Sequence, residues 1–214
     1  HIVPDDFPVR YDAAQTPLPP NFLPMHPFDN GEMTIRDEQL LPWPRPPESV
    51  RSMIADYYRY ISYLDAQIGR VLDALAASPY ASNTIVVFSS DSGVARGSHG
   101  LIGKQNCYEH SVRVPLIFSG PGIPANHRTD ALCYLFDVLP TLGKLCGVSA
   151  PAQSEGVEFS ATLRDAAASA RPSNDSAGKF DLVRNSTELI FATARSRRSE
   201  PVRRPSRRGR CYWA

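Results

Sequence analysis

Two short apolar runs, Ile85-Val86-Val87-Phe88 and Val114-Pro115-Leu116-Ile117-Phe118, bracket a long polar connection rich in glycine. Runs of this length, rich in β-branched and aromatic residues and bounded by Gly and polar positions, read as buried strands. They constrain the fold more than any other feature, because of what lies between them. The connection carries Asp91, His99, Lys104, Glu109, His110 and Arg113 among Gly93, Gly97, Gly100 and Gly103. Beyond the ends of buried strands, a loop of this composition is where an α/β protein places its chemistry.

The segments on either side support an α/β reading. Over residues 49–78, Val50, Met53, Ile54, Tyr57, Ile61, Leu64, Ile68, Val71, Leu72 and Leu75 recur at steps of three and four, the period of a helix with one apolar face. Glu48 and Ser49 fit its start and Ser78-Pro79 its end. Tyr57, Tyr58, Tyr60 and Tyr63 fall at helical spacing and read as packing rather than as a binding face. The helix leads into the strand at 84–89, an α-then-β unit of a layered sheet. Residues 130–148 read as a strand or turn followed by a second helix, with Leu139, Leu142 and Leu145 expected in the core. Residues 1–48 hold too many prolines for a helix or a central strand. They are expected as an extended segment pinned by Phe22, Leu23, Phe28, Leu40, Leu41 and Trp43.

Some of the polar residues have chemistry of their own. Asp91 closes the first strand next to Gly93, where a short carboxylate can reach a hard cation. Taken alone, an Asx turn or a helix cap is the simpler explanation. Lys104 offers a compact ammonium to an anion, or is a surface lysine. His99 either lines a pocket or holds the loop by a hydrogen bond.

In order, the chain reads Ser90-Asp91-Ser92-Gly93, Gly97-Ser98-His99-Gly100-Leu101-Ile102-Gly103-Lys104, Tyr108-Glu109-His110-Ser111-Val112-Arg113-Val114-Pro115-Leu116-Ile117 and Gly120-Pro121-Gly122. This succession resembles the sulfatase family of the alkaline-phosphatase-like superfamily, over roughly residues 17–165. The resemblance implies an α/β, alkaline-phosphatase-like sandwich with a mainly parallel central sheet, present here as its C-terminal part. Residues 1–165 would be a partial catalytic domain, with the proline-rich segment at 1–48 and the α/β core at 49–148. Asp91 is implied as a ligand of Ca²⁺, or Mg²⁺, with Ser92 standing where the family has Asn or His. A hydroxyl there is a shorter and weaker ligand. Lys104 is implied on the sulfate oxygens, where it would offset the charge that builds on the leaving oxygen. His99 is the second catalytic candidate. Glu109 and Arg113 are expected to tie the loop to the second strand, and His26 or Asp29 to lie near the substrate.

The family's nucleophile is a formylglycine made from Cys or Ser in a C/S-x-P-x-R pattern upstream of the Asp91 strand. That pattern occurs here at Ser199-Glu200-Pro201-Val202-Arg203, downstream, in an Arg/Ser/Pro-rich run where a match is cheap. The chain begins with His1 rather than Met, so its true start is expected further upstream. Taken together, these features predict a chain that lacks the nucleophile and is inactive alone.

Composition narrows the alternatives. The formal charge of +1 conceals an uneven distribution, because residues 190–214 hold eight Arg against one Glu. Of 23 basic and 22 acidic residues, 15 and 21 remain for the body, which is therefore mildly acidic. Residues 166–214 read as a low-complexity, Arg-rich tail, disordered or frame-disrupted. A non-catalytic chain binding polyanions through that tail is one alternative, and a metal-dependent phosphoesterase of the same superfamily another. An Arg run without interleaved aromatics argues against nucleic acid as partner. The expected partner is a small-molecule or saccharide sulfate ester. Cys107, Cys133, Cys146 and Cys211 form no zinc or C-x-x-C spacing, and Cys133 and Cys146 read as buried thiols. No apolar run approaches the length of a membrane span.

Overall fold

The computed structural model describes residues 2–29, 31–170 and 189–191. The helix expected at 49–78 is α1, Pro47–Ala76. It begins with Pro46 in an extended conformation and Pro47 at its first position, where a missing N–H costs nothing. Strand β1 is Val86–Ser89 and β2 is Leu116–Ser119. Between them lies a single-turn helix, α2, Glu109–Val112. After β2 come the short strand β3, Arg128–Thr129, and the helix α3, Val138–Cys146. Strand β4, Leu189–Phe191, completes a four-stranded sheet of order β1-β2-β4-β3.

Pairing within this sheet is mixed. β2 and β4 run parallel, whereas β1–β2 and β3–β4 are antiparallel. The expectation of mainly parallel pairing therefore does not hold for the described strands. The reason lies in the β1–β2 connection, which lacks the crossover helix that parallel neighbours need. The antiparallel register, Val86 with Ser119 through Ser89 with Leu116, makes the Gly-rich loop leave and rejoin the sheet at one end. Strand β4 lies in the stretch expected as a tail, and its Leu-Ile-Phe triple suits a strand. The remainder of that stretch beyond residue 170 lies outside the described residues.

The core sits on one face of β2. Leu116 and Phe118 alternate inward and pack with Ile123, Cys133, Phe159 and Leu163. Phe118 and Phe159 meet edge to face, with centroids 5.7 Å apart. Leu142 and Leu145 of α3 pack against this cluster as expected, but Leu139 is 54% exposed. Cys133 is buried and Cys146 exposed, so only the first fits the buried-thiol reading. Asp137 anchors α3 from inside. Its carboxylate accepts from the N–H groups of Tyr134 and Val157, both at 2.8 Å.

β1 is not the fully buried strand that its composition announces. It is an edge strand, and all four of its residues are half-buried. The long face of α1 divides in a similar way. Val50, Ile54 and Ala55 are buried, and the N-terminal segment runs along the next turns, where Phe7 packs on Tyr63 and Tyr11 on Tyr58. Arg59 reaches the carbonyls of Pro4 and Val9 at 2.7 and 3.2 Å. Further along, Leu64, Val71 and Leu72 are exposed, because nothing among the described residues covers them.

The proline-rich segment is extended, with two 3-10 turns at Ala13–Gln15 and Glu38–Leu40. Of its six expected anchors, Phe22, Leu41 and Trp43 are half-buried. Leu23, Phe28 and Leu40 are exposed, whereas Thr16, His26, Glu38 and Arg45 are buried. Polar groups, paired with backbone, hold this segment down.

Candidate active site

The glycine-rich loop doubles back on itself. Ala95 N–H donates to Gly103 C=O at 2.9 Å and Gly97 N–H to Leu101 C=O at 2.7 Å. Gly103, the residue before Lys104, is thereby laid against Ala95, shortly after Asp91. The turn of the loop needs positive φ at Gly97, His99 and Gly100. Gly100 is required for a second reason. A Cβ there would lie 2.6 Å from the backbone nitrogen of His26.

That contact marks a template. The proline-rich segment lies across the loop and takes up its backbone groups one after another. Phe22 bridges to Ser98, and His99 N–H donates to Asn21 C=O at 2.9 Å. His26 Nδ1 donates to His99 C=O at 2.7 Å, and Arg45 Nε to Gly100 C=O at 3.3 Å. The Glu38 carboxylate accepts from Ile102 N–H at 3.0 Å and from Gly103 N–H at 2.8 Å. Glu38 in turn holds Arg45 at 2.6 Å, with both side chains almost fully buried. The same guanidinium donates to the carbonyls of Glu38 and Leu41 and lies 3.5 Å from the Trp43 ring centroid. Burial lowers the Arg45 pKa from its ordinary value, and the Glu38 charge works against that shift.

His99 is half-buried and engaged on several sides. Its Nε2 lies 3.0 Å from Asn21 Nδ2, and its ring stacks on Tyr108 at 4.1 Å. Tyr108 also stacks with His110, centroids 5.6 Å apart, and His26 meets Tyr108 edge to face at 5.9 Å. Burial, aided by the charge of His99, pushes the His110 pKa down to about 4. His110 thus belongs to an aromatic column beneath the loop, a role its sequence context left unassigned.

Lys104 is exposed at the end of the templated loop. Its charge acts on Asp37, whose pKa is lowered chiefly by a hydrogen bond from Arg36, despite an opposing effect of burial. Arg36 lies 2.8 Å from Asp37, so two cations share one carboxylate at this rim. Asp91 is exposed at the far end of the loop, with Ser92 Oγ 3.5 Å from its carboxylate. The segment is seated by Gly93 N–H, which donates to Ser111 C=O at 2.9 Å. A Cβ at Gly93 would strike the His110 carbonyl at 2.0 Å, so the chain passes flush against α2. Across this contact, Asp91 and Ser92 connect to the His110–Tyr108–His99 column.

Asp91 and Ser92 are oxygen donors, the type that Ca²⁺ or Mg²⁺ takes, but their three side-chain oxygens fall short of the roughly six to eight that Ca²⁺ requires. Among the described residues no group of three His, Cys, Asp or Glu side chains could hold a metal ion. The described residues therefore do not form a cation site by themselves.

Glu38, Arg45 and Asn21 were not singled out from the sequence as part of this region. The only signal was a pair of opposite charges, seven residues apart, in an otherwise apolar and proline-rich run.

The fold and this loop define an alkaline-phosphatase-like α/β protein. A solved phosphonate monoester hydrolase from Silicibacter pomeroyi aligns over 81% of this chain and 36% of its own, at a TM-score of 0.64 and 23% identity, a likeness of fold alone. The family model described as Sulfatase matches residues 1–148, and the chain belongs to the sulfatase family. A sulfatase of Formosa agariphila is 40% identical over 105 residues, 49% of this chain and 21% of the relative. A solved 2-O GAG sulfatase is 36% identical at a TM-score of 0.51, over 56% of this chain and 27% of its own. The chain spans between about a fifth and a third of the length of the proteins it matches. Among the described residues no helix is long and apolar enough to cross a membrane.

Proposed function

We propose that the protein hydrolyses a sulfuric ester, and that this chain supplies the side of the active site that receives the sulfate group. The observation that carries this reading is Lys104, an exposed ammonium at the end of a loop whose backbone is fixed by another segment. An ammonium held in place neutralises a tetrahedral anion without reorganising as charge moves to the leaving oxygen. His99, stacked on Tyr108 and held by Asn21, forms the wall beside it and takes part by shaping the pocket.

Asp91 and Ser92 are the groups of this chain that would meet a Ca²⁺ or Mg²⁺ ion, which in such a site polarises the sulfate oxygens. Ligands beyond the described residues would have to complete that ion's shell. The nucleophile is proposed to come from a C/S-x-P-x-R segment other than Ser199–Arg203, which lies outside the described residues. The substrate is a small-molecule or saccharide sulfate ester. The similarity to a 2-O GAG sulfatase supports a sulfated sugar as the first to try.

The test is release of inorganic sulfate from aryl, choline and uronate 2-O-sulfates, with a matched aryl phosphate as control. It compares the 214-residue chain with the product of the gene read through its upstream sequence. Sulfate release by the longer protein alone, lowered about a hundredfold or more by Lys104→Ala, is the expected result. Preference for the phosphate ester would overturn the sulfuric-ester reading. Turnover by the 214-residue chain would overturn the division of labour.

A further inference from the structure

The geometry points to Glu38 as the positioning residue for Lys104, a role that rests on the reading of Lys104 as the sulfate-binding group. Among the described residues the backbone of Lys104 bonds only to its near neighbours, its N–H donating to the Gln105 side chain at 3.1 Å and its C=O accepting from Asn106 N–H at 2.9 Å. Its place is therefore set by the residues just before it. Ile102 and Gly103 both give their N–H groups to one carboxylate, at 3.0 and 2.8 Å. Adjacent N–H groups converging on a charged acceptor make short, strong, directional bonds.

The carboxylate itself cannot wander. Glu38 is 3% exposed, and Arg45 holds its second oxygen at 2.6 Å. Arg45 is 1% exposed and fixed in turn by the carbonyls of Glu38 and Gly100 and by the Trp43 ring. A side chain at Gly103 would crowd the buried carboxylate. A Cβ there would lie 3.0 Å from Glu38 Oε1 and 2.9 Å from Gln105 Oε1. A buried acid some sixty residues away in sequence thus determines where the exposed lysine stands. Displacing a reacting group's partner by even about 1 Å is costly for a site that works by fixed geometry.

The experiment uses the full chain and inorganic sulfate as probe. Amide hydrogen exchange at Ile102 and Gly103 and sulfate affinity are measured for wild type, Glu38→Gln, Glu38→Asp and Lys104→Ala. Gln keeps the volume but turns an amide toward Arg45, and Asp keeps the charge but withdraws the oxygens. Phe118→Leu, in the core behind β2, serves as a control for general destabilisation. Glu38→Gln is expected to speed exchange at both amides and to weaken sulfate binding, each about tenfold, with Glu38→Asp intermediate. Phe118→Leu should leave both unchanged.

Unchanged exchange in Glu38→Gln would overturn the assignment, as would faster exchange with unchanged sulfate affinity. Equal weakening by Phe118→Leu would reduce Glu38 to a stabilising residue and overturn it too. Sulfate affinity unaltered by Lys104→Ala would overturn the anion site itself, a failure distinguishable from that of Glu38.

Discussion

The two ends of the Gly-rich loop are built by opposite means. From Gly97 to Lys104 nearly every backbone group meets a partner, some within the loop and others, at His99, Gly100, Ile102 and Gly103, from residues 21–45. At Asp91 and Ser92 the side chains meet chiefly each other, at 3.5 Å, and the segment is seated by one backbone bond to Ser111. Under the proposed reading the loop receives an anion, and a site for an anion can be prepared in advance by fixing one cation. A site for a divalent ion needs many converging oxygens, and no single strand end can provide them. On that reading the lysine end is prepared within this chain, whereas the aspartate end would offer only a share of a shell.

The sharpest way to break this contrast is to loosen the prepared end without touching a charged residue. Gly100→Ala forces a side chain onto a φ of +76° and a Cβ to within 2.6 Å of the His26 backbone nitrogen. The cost of left-handed backbone and of overpacking together comes to about 2 kcal/mol or more. Urea denaturation should show that loss, with faster amide exchange concentrated at residues 97–103. A loss spread evenly over the chain would mean that the template is no stiffer than its surroundings.

Much of the fold was legible because its signals are local. The three- and four-residue period of α1, the two apolar runs and the Gly-Pro turn at 120–122 each lie within a few residues of one another. The likeness of the loop to a known family singled out Lys104 and Asp91 as candidates. What could not be read are pairings set by the third dimension. Nothing near Glu38 says that its carboxylate will receive amides from Ile102 and Gly103. In the sequence Gly100 and Gly103 are only members of a glycine-rich connection; in the fold they are close approaches between two backbones or a backbone and a buried acid. The exposure of Leu139, Cys146 and the later turns of α1 depends on which layers cover them, and periodicity alone does not report that. Mixed sheet pairing was also hidden, since the apolar runs look the same in either direction.

The column that joins the two ends offers a gentler probe. His110 is held neutral in the folded chain, its pKa lowered to about 4 first by burial and then by the charge of His99. The unfolded chain carries the ordinary imidazole, so between about pH 4 and pH 6.5 it binds more protons than the folded one. Stability from this group is present above the ordinary value and is lost as pH falls toward about 4. Tyr108 and His99 face it on the column, and the Gly93 backbone crosses it from behind. Denaturation midpoints of wild type and His110→Phe should therefore differ in slope within this window and run parallel above it. Parallel profiles would mean that His110 is as solvated as an ordinary surface histidine, and that the column does not seal the space between the two ends.

The smallest expected effect concerns the aspartate end. If Asp91 and Ser92 supply only part of a cation shell, the chain should hold Ca²⁺ no better than millimolar. An ion at its own dissociation constant stabilises by about 0.4 kcal/mol. Adding about 1 mM CaCl₂ should thus raise the unfolding free energy by no more than that, and Asp91→Asn should leave the chain's stability within about 0.5 kcal/mol, as for other exposed positions. A larger rise that disappears in Asp91→Asn would show that further oxygens converge there, and the contrast between the two ends would fail. A rise that survives Asp91→Asn would place the ion elsewhere and leave the contrast intact. The measurement therefore separates an incomplete cation site from a complete one without any need for turnover.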